Sequence, residues 1–485
     1  MNTINDLTRR SLLYGSVAGI TLLVGGAGAQ SAKRPPNIVF FLADDLGFAD
    51  VACYGRPDLH TPNIDRIAAQ GIRFLQAYAN SAVCTASRAA LITGRYQYRL
   101  KVGLEEPLAA NSTVGLPAEH PTLPSLLKKA GYATMLLGKW HLGYLPDYGP
   151  LKSGYDHFWG FRGGALDYYT HTDNQKDDLW DGDMPVHETG YMTDLIGDRA
   201  VDAVGMYTKT RQPFFLDVHF NAPHWPWEAV GDQAEAERLR KASLSDHDGG
   251  TQRTYQQMIA RMDYQIGRVL KALDEHGLSD NTIVIFTSDN GGERFADTWP
   301  FTGRKTELLE GGIRIPLVAR WPGQIAKGVT TQQVAIHMDW LPTLLAAASS
   351  TPAPDYPSDG VDLLPVMTAK VTPFPRKLFW RYKANHQRAA RDGDWKILKI
   401  NDNAFLFDVA ADPMERANLK DRNREIFGRL AAEWNAWNAT MLPEVRESNT
   451  GGNTADNWAD HIGATPPSVE PDLSADWPST TSPSR

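Results

Sequence analysis

The sequence predicts an α/β sandwich around a largely parallel sheet, followed by a small α+β unit with an antiparallel sheet. Two observations predict it. Continuous apolar runs of strand length alternate with amphipathic helical stretches over the first three quarters of the chain. From about residue 366 the runs become short and closely spaced, with Asp392-Gly393 as a hairpin turn signal between two of them.

The strand candidates in the first part are Asn37–Ala43, Tyr132–Leu137, Pro213–Phe220, Thr282–Thr287 and Ile315–Arg320. They do not alternate, which is the pattern of strands buried on both faces. Leu123–Ala130 and Tyr255–His276 read as helices; the second repeats apolar residues at Met258, Ile259, Met262, Ile266, Val269, Leu270 and Leu273. In the second part Leu378–Arg381, Gln387–Arg391, Trp395–Ile400 and Ala404–Phe407 are short strands, and Arg424–Trp437 is a helix. The expected organisation is a main domain over 34–365, a C-terminal subdomain over 366–446, and a polar, loosely attached tail over 447–485.

The chain has 485 residues, 42% hydrophobic and 22% charged, with a net charge of -8. No basic surface points to nucleic acid. Two cysteines, Cys53 and Cys84, exclude a disulfide framework. Thr8-Arg9-Arg10-Ser11-Leu12-Leu13, an apolar run from Val17 to Val24, and Ala27-Gly28-Ala29 read as a twin-arginine export signal over residues 1–30. The apolar run is too short for a comfortable membrane span. The expected location is the periplasm or the exterior, without stable membrane insertion.

The chemistry lies at the strand ends. Asp44 and Asp45 follow the first run, Lys139 and His141 the second, His224 the third, and Asp289 and Asn290 the fourth. Open α/β sheets bind ligands beyond the carboxyl ends of their strands. An Asp-Asp pair alone is usually a turn former, but four strands delivering titratable groups to one edge predict a shared site. Asp44, Asp45, Asp289 and Asn290 offer only oxygen ligands, which suit Ca²⁺ better than Zn²⁺. Lys139, His141, His224 and Arg88 beside such an ion would form a pocket for a small multiply charged anion, sulfate or phosphate.

Val83-Cys84-Thr85-Ala86-Ser87-Arg88 leads into a helical stretch ending in Thr93-Gly94-Arg95. This run resembles the sulfatase signature, in which Cys, one residue, Pro or Ala, one residue and Arg precede a helix ending in Thr-Gly-Arg. Most members carry Pro where this chain has Ala86. Leu42-Ala43-Asp44-Asp45-Leu46-Gly47, Gly138-Lys139-Trp140-His141-Leu142-Gly143 and Thr287-Ser288-Asp289-Asn290-Gly291-Gly292 are similar to further family motifs. Glu310-Gly311-Gly312-Ile313-Arg314-Ile315-Pro316 resembles the segment following the second catalytic Lys, here Lys305. Asp392-Gly393-Asp394-Trp395-Lys396 and Leu406-Phe407-Asp408 resemble the C-terminal subdomain. The resemblance covers about residues 35 to 420.

It implies an alkaline-phosphatase-like fold and a sulfuric ester hydrolase of the arylsulfatase and N-acetylgalactosamine-6-sulfatase type. Cys84 would be oxidised by a maturase to Cα-formylglycine, whose hydrate is held on one calcium ion by Asp44, Asp45, Asp289 and Asn290. Asp289 would take a proton from the hydrate, and Arg88 would hold it. Lys139, Lys305 and His224 would stabilise the sulfuryl oxygens. His224 or Lys305 would protonate the leaving alkoxide, and His141 would act as the base that expels sulfate. Cys53 then has no partner and reads as a structural thiol. Formylglycine formation acts on an unfolded segment, so it would precede twin-arginine export of the folded protein.

For substrate, Trp159, Arg162, Tyr168, Tyr169, His171, Trp225, Trp227, Arg294 and Trp299 are candidates to wall the site, with packing as the alternative for about half of them. The expected partner is a sulfated carbohydrate or an aryl sulfate. Two other readings stand beside this one: a phosphate or phosphonate ester hydrolase of the same superfamily, and an inactive sulfated-glycan-binding protein whose Cys84 stays a thiol.

Overall fold

A computed structural model describes residues 34–450, apart from 111, 174, 211, 242–248 and 446–447, together with Trp477. The export signal and most of the tail lie outside the described residues. From Pro35 onward the chain is one compact unit.

Its centre is a ten-stranded sheet. From edge to edge the strands are Val329–Ile336, Ile72–Tyr78, Leu317–Arg320, Thr282–Ser288, Asn37–Ala43, Phe214–His219, Ala133–Lys139, His157–Phe161, Trp180–Asp181 and Met184–Pro185. Asn37–Ala43 runs parallel to both of its neighbours, and the parallel pairing continues through Ala133–Lys139 to His157–Phe161. Leu317–Arg320 is antiparallel to both of its neighbours, so the expectation of a largely parallel sheet holds for the centre and not for that strand.

Strand alternation explains why the central runs are apolar throughout. In the first strand Val39, Phe41 and Ala43 enter one core, which also holds Met258, Met262, Ile266 and Leu270 of helix Gln252–Glu275 and Ile196 and Val204 of helix Met192–Thr210. Ile38, Phe40 and Leu42 enter the other, with Leu91 and Ile92 of helix Cys84–Thr93, Leu126 and Leu127 of helix Leu123–Lys129, and Leu341 and Leu344 of helix Trp340–Ala347. Successive residues face opposite sides of a strand, and both sides here are dry.

The C-terminal part is a four-stranded antiparallel sheet of Lys377–Tyr382, Gln387–Asp392, Trp395–Ile400 and Asn403–Asp408 in sequence order, backed by helix Arg424–Asn438. Lys396 is buried between Glu310 at 3.0 Å and Glu415 at 2.9 Å, an ion cluster that ties this sheet to the main one. The tail is anchored where it is described. Asn449 Nδ2 donates to the Pro107 carbonyl, and Trp477 packs edge-on against Phe427 and Trp434. No helix among the described residues is long and apolar enough to cross a membrane.

Candidate active site

Backbone pairing continues past the strand ends and fixes the segments that follow. Asp44 N donates to Ala222 O, Phe220 N to Leu42 O, Asp289 N to Ala43 O and Trp140 N to Phe161 O, all within 3.1 Å. The polar residues expected at one edge are therefore held there together. Asp45 (φ 64°) and His141 (φ 56°) sit in left-handed backbone, where non-glycine residues are uncommon. Such conformations persist where the surroundings over-determine them, and they cluster at functional sites.

Cys84 opens the helix Cys84–Thr93, every residue of which is buried. Its Sγ lies 3.2 Å from His141 Nδ1, while His141 Nε2 lies 3.0 Å from the Leu108 carbonyl. A carbonyl only accepts, so Nε2 carries the proton and Nδ1 presents a lone pair to residue 84. Burial and the nearby Lys139 hold His141 well below the usual imidazole range, which keeps it neutral. Burial pushes the Cys84 thiol up, which makes thiolate scarce at neutral pH.

Asp44 receives Lys139 Nζ at 2.7 Å, and Asp45 receives Lys305 Nζ at 2.6 Å. Burial raises Asp44 well above the carboxylate range despite Lys139. Burial acts the same way on Asp45, but Lys305, His224 and Lys139 together overcome it and hold Asp45 below that range. Lys305 Nζ also lies 3.2 Å from His224 Nε2. His224 Nδ1 lies 2.6 Å from the Trp225 carbonyl, so Nδ1 carries the proton and Nε2 accepts from Lys305. Burial and Lys305 push His224 well below the imidazole range. Burial alone would lower Lys305, yet Asp45 and Glu293 raise it well above the usual ammonium value.

Arg88, one helical turn beyond Cys84, donates through Nε to Asp289 Oδ2 at 3.0 Å. Its Nη2 lies 2.9 Å from the same oxygen and 3.7 Å from Asp44 Oδ1, without an in-line hydrogen bond. Asn290 Nδ2 donates to Asp45 Oδ1 at 2.7 Å and to Gly291 O at 2.8 Å.

The donor set fits a hard cation. Asp44 Oδ1 and Asn290 Oδ1 are buried oxygens with no hydrogen-bond partner among the described residues. Ligand atoms of Asp44, Cys84 and Asp289 lie within 4.8 Å of one another. Two lone-pair-rich oxygens left unsatisfied in a buried, carboxylate-rich site are what an oxygen-preferring ion would complete.

The expected substrate wall needs correction. Tyr168 is fully buried, and its hydroxyl is shared between Asn221 O at 2.9 Å and His224 O at 3.0 Å, so it braces the His224 loop and has no face for a ligand. His171 is buried with Nε2 3.2 Å from Gly190 O. Arg162 is buried, stacked over Trp180 at 4.2 Å and bonded to Gly182 O and Asp183. Trp227 is buried edge-on against Phe295. Trp159 lies under Arg199 at 3.8 Å, and Tyr169 donates to Ala229 O. The residues left to meet a ligand are Trp225, half-buried and tilted onto His224, Trp299, which is 65% exposed, and Arg294. Arg294 lines a cleft of about 310 Å³ with Glu293, Thr298, Thr302 and Arg304.

Two sets of residues carried no sequence signal that singled them out. Glu293, half-buried and 3.5 Å from Lys305, follows the Gly291-Gly292 pair as an ordinary loop acid. Asp217 and His219 lie inside an apolar run, and their alternate spacing within it was the available clue.

Comparison with known proteins agrees with this geometry. The Sulfatase family profile matches residues 36–350, and the profile for the C-terminal region of N-sulphoglucosamine sulphohydrolase matches residues 303–436. The chain is 34% identical to N-acetylgalactosamine-6-sulfatase of Sus scrofa over 402 residues, covering 78% of this chain and 74% of the relative. It is 33% identical to arylsulfatase A of Homo sapiens over 437 residues, covering 81% and 80%. Among solved structures, Ps i-CgsB in complex with k-i-k-neocarrahexaose superposes with a TM-score of 0.77 at 30% identity, covering 89% of this chain and 98% of that one. The architecture is thus the alkaline-phosphatase-like α/β sandwich of solved sulfatases. The chain belongs to the sulfatase family and is a hydrolase of sulfate esters.

Proposed function

We propose that this protein is an exported sulfatase of sulfated carbohydrates that works through a formylglycine made from Cys84, beside one calcium ion held by Asp44, Asp45, Asp289 and Asn290. The observation that carries the reading is the pairing of Cys84 with a neutral His141 whose bare Nδ1 faces it at 3.2 Å. A buried thiol of raised pKa is a poor nucleophile, which favours conversion of the residue over use of the thiol. The hydrated aldehyde would supply the attacking oxygen, and a calcium ion held by Asp44, Asp45, Asp289 and Asn290 would supply Lewis-acid chemistry when bound.

The chain's own residues supply the rest. Lys139 and Lys305 bring ammonium groups to the edge where the sulfuryl oxygens would lie. Lys305, protonated where His224 is neutral, is the group with a proton to give to the leaving alkoxide. His224, neutral with its lone pair on Lys305, orients that donor. Arg88 holds the nucleophile by charge-assisted hydrogen bonds from the same helix. His141 Nδ1 takes the proton whose removal releases sulfate.

The carbohydrate assignment draws on the neocarrahexaose complex of the 30% identical neighbour and on the polar cleft lined by Glu293, Thr298 and Thr302. The export assignment draws on the twin-arginine pattern at Arg9-Arg10. The test compares turnover of a sulfate and a phosphate ester of one phenol, with and without calcium chelation, and adds a panel of sulfated oligosaccharides. The proposal expects sulfate to be preferred, chelation to abolish turnover, and at least one oligosaccharide to release sulfate. Preference for the phosphate ester, or full activity after chelation, would overturn it.

A further inference from the structure

Strand Phe214–His219 is buried along its whole length, yet it carries an acid and an imidazole. Leu216 and Val218 enter the core that holds helix Gln252–Glu275, and Phe215 enters the core that holds helix Cys84–Thr93. By alternation Asp217 and His219 share the face of Phe215, on the side of Cys84 and Arg88. Leu or Ile would serve packing there, and burying two polar groups is unfavourable unless they meet partners.

Their partners form a chain that ends on Arg88. Tyr155 Oη donates to Asp217 Oδ2 at 2.5 Å. Asp217 Oδ1 lies 2.9 Å from His219 Nε2, an ion-pair distance without an in-line hydrogen bond, and neither atom has a hydrogen-bond partner among the described residues. His219 Nδ1 lies 3.0 Å from the Lys139 carbonyl and 3.1 Å from Arg88 Nη1. The same Nη1 donates to the Lys139 carbonyl at 3.2 Å. Nη1 is thus held in a close triangle with the Lys139 carbonyl and the His219 imidazole, while Nε is taken by Asp289. A guanidinium is planar and rigid, so fixing Nε and Nη1 fixes Nη2. Nη2 is the corner left without an in-line partner, beside the Asp44 and Asp289 carboxylates.

We propose that His219 and Asp217, backed by Tyr155, are positioning residues that lock the plane of Arg88 so that its Nη2 serves the nucleophile formed at residue 84. They touch neither substrate nor cofactor and act through Arg88. The proposal rests on the assignment of residue 84 as the nucleophile.

The test uses the full chain, co-produced with a formylglycine-generating maturase and assayed on an aryl sulfate. His219→Leu should lower kcat by about 10- to 100-fold, the usual cost of losing an outer-shell orienting group, with KM nearly unchanged. His219→Gln, which keeps a hydrogen-bonding group between the Lys139 carbonyl and Arg88, should recover most of that loss. In an Arg88→Lys background His219→Leu should add almost nothing, because the group it orients is gone. Asp217→Asn, which conserves shape, should lower kcat in the same direction by a smaller factor and gives a second route if His219→Leu fails to fold. Wild-type kcat in folded His219→Leu or Asp217→Asn, or a full additional loss on top of Arg88→Lys, would overturn the positioning role. Turnover retained by Cys84→Ala would overturn the nucleophile assignment on which it rests, so the two failures are distinguishable.

Discussion

At the scale of single residues, the site separates groups held charged from groups held neutral. Lys305 is held cationic by Asp45 and Glu293, while His141 and His224 are held neutral by burial and by the lysines beside them. Glu228, four residues beyond His224, gives a test of such burial away from the reacting groups. Burial and the neighbouring Asp167 raise its carboxyl to about 9 from the ordinary 4.5. The folded chain therefore binds more protons than the unfolded chain between those values, and stability falls as pH rises across that window. Glu228→Gln, uncharged throughout, should match the wild-type melting temperature near pH 5 and exceed it at the top of the window; a difference independent of pH would refute the assignment. Asp44, Asp45, Lys139, His141, His224, Asp289 and Asn290 are legible in the sequence because each follows an apolar run. Lys305 follows no strand and is reached only through the family resemblance. His219 is hidden because a polar residue inside an apolar run carries no label of its partner.

At the scale of elements, the apolar runs mark the central strands but not their direction. Leu317–Arg320 reads like its neighbours and runs against them, since periodicity is the same in both senses. Ile72–Tyr78 and Val329–Ile336 escape notice because they lie at and beside a sheet edge, where charged and amide side chains interrupt the apolar pattern. Of the candidate wall residues, sequence cannot tell a tryptophan that packs from one that waits at a rim, because both are aromatic residues in loops. Loop packing also places His141, the base of the proposed mechanism. A methyl group added at Gly164 would come 2.7 Å from His141 Cε1 and 2.8 Å from its Nε2. Gly164→Ala should therefore shift the imidazole off its line to residue 84. The expected result is a loss of about 10²-fold in kcat, the scale of a 1 Å misplacement, with the melting temperature close to wild type. Unchanged kcat would show that the ring has room to move without consequence.

At the scale of the whole molecule, the C-terminal sheet is part of the scaffold that carries the site. Lys396 sits fully buried between Glu310 and Glu415, and Glu310 also binds Arg314 and Tyr78. Removing the lysine strands two carboxylates in the interior, so Lys396→Met should cost about 3–5 kcal/mol in denaturant unfolding. A cost below about 1 kcal/mol would show that water or the arginine compensates. The C-terminal residues are recognisable in sequence as a short-stranded unit, but their burial against Glu310 depends on a contact across 86 residues of chain and has no local signature. Folding also constrains maturation. Cys84 is 2% exposed, in a helix whose ten residues are all buried, so no modifying enzyme can reach it in the folded protein. Under the proposed mechanism, conversion would therefore precede folding, and the proposed export through the twin-arginine route would follow. The most direct measurement is the mass of the proteolytic peptide spanning Cys84, taken from the protein purified from its native host. The account predicts that residue 84 has lost sulfur and two hydrogens and gained an oxygen, the composition of the aldehyde, and that this fraction tracks sulfate release. An unmodified cysteine in fully active protein would contradict it.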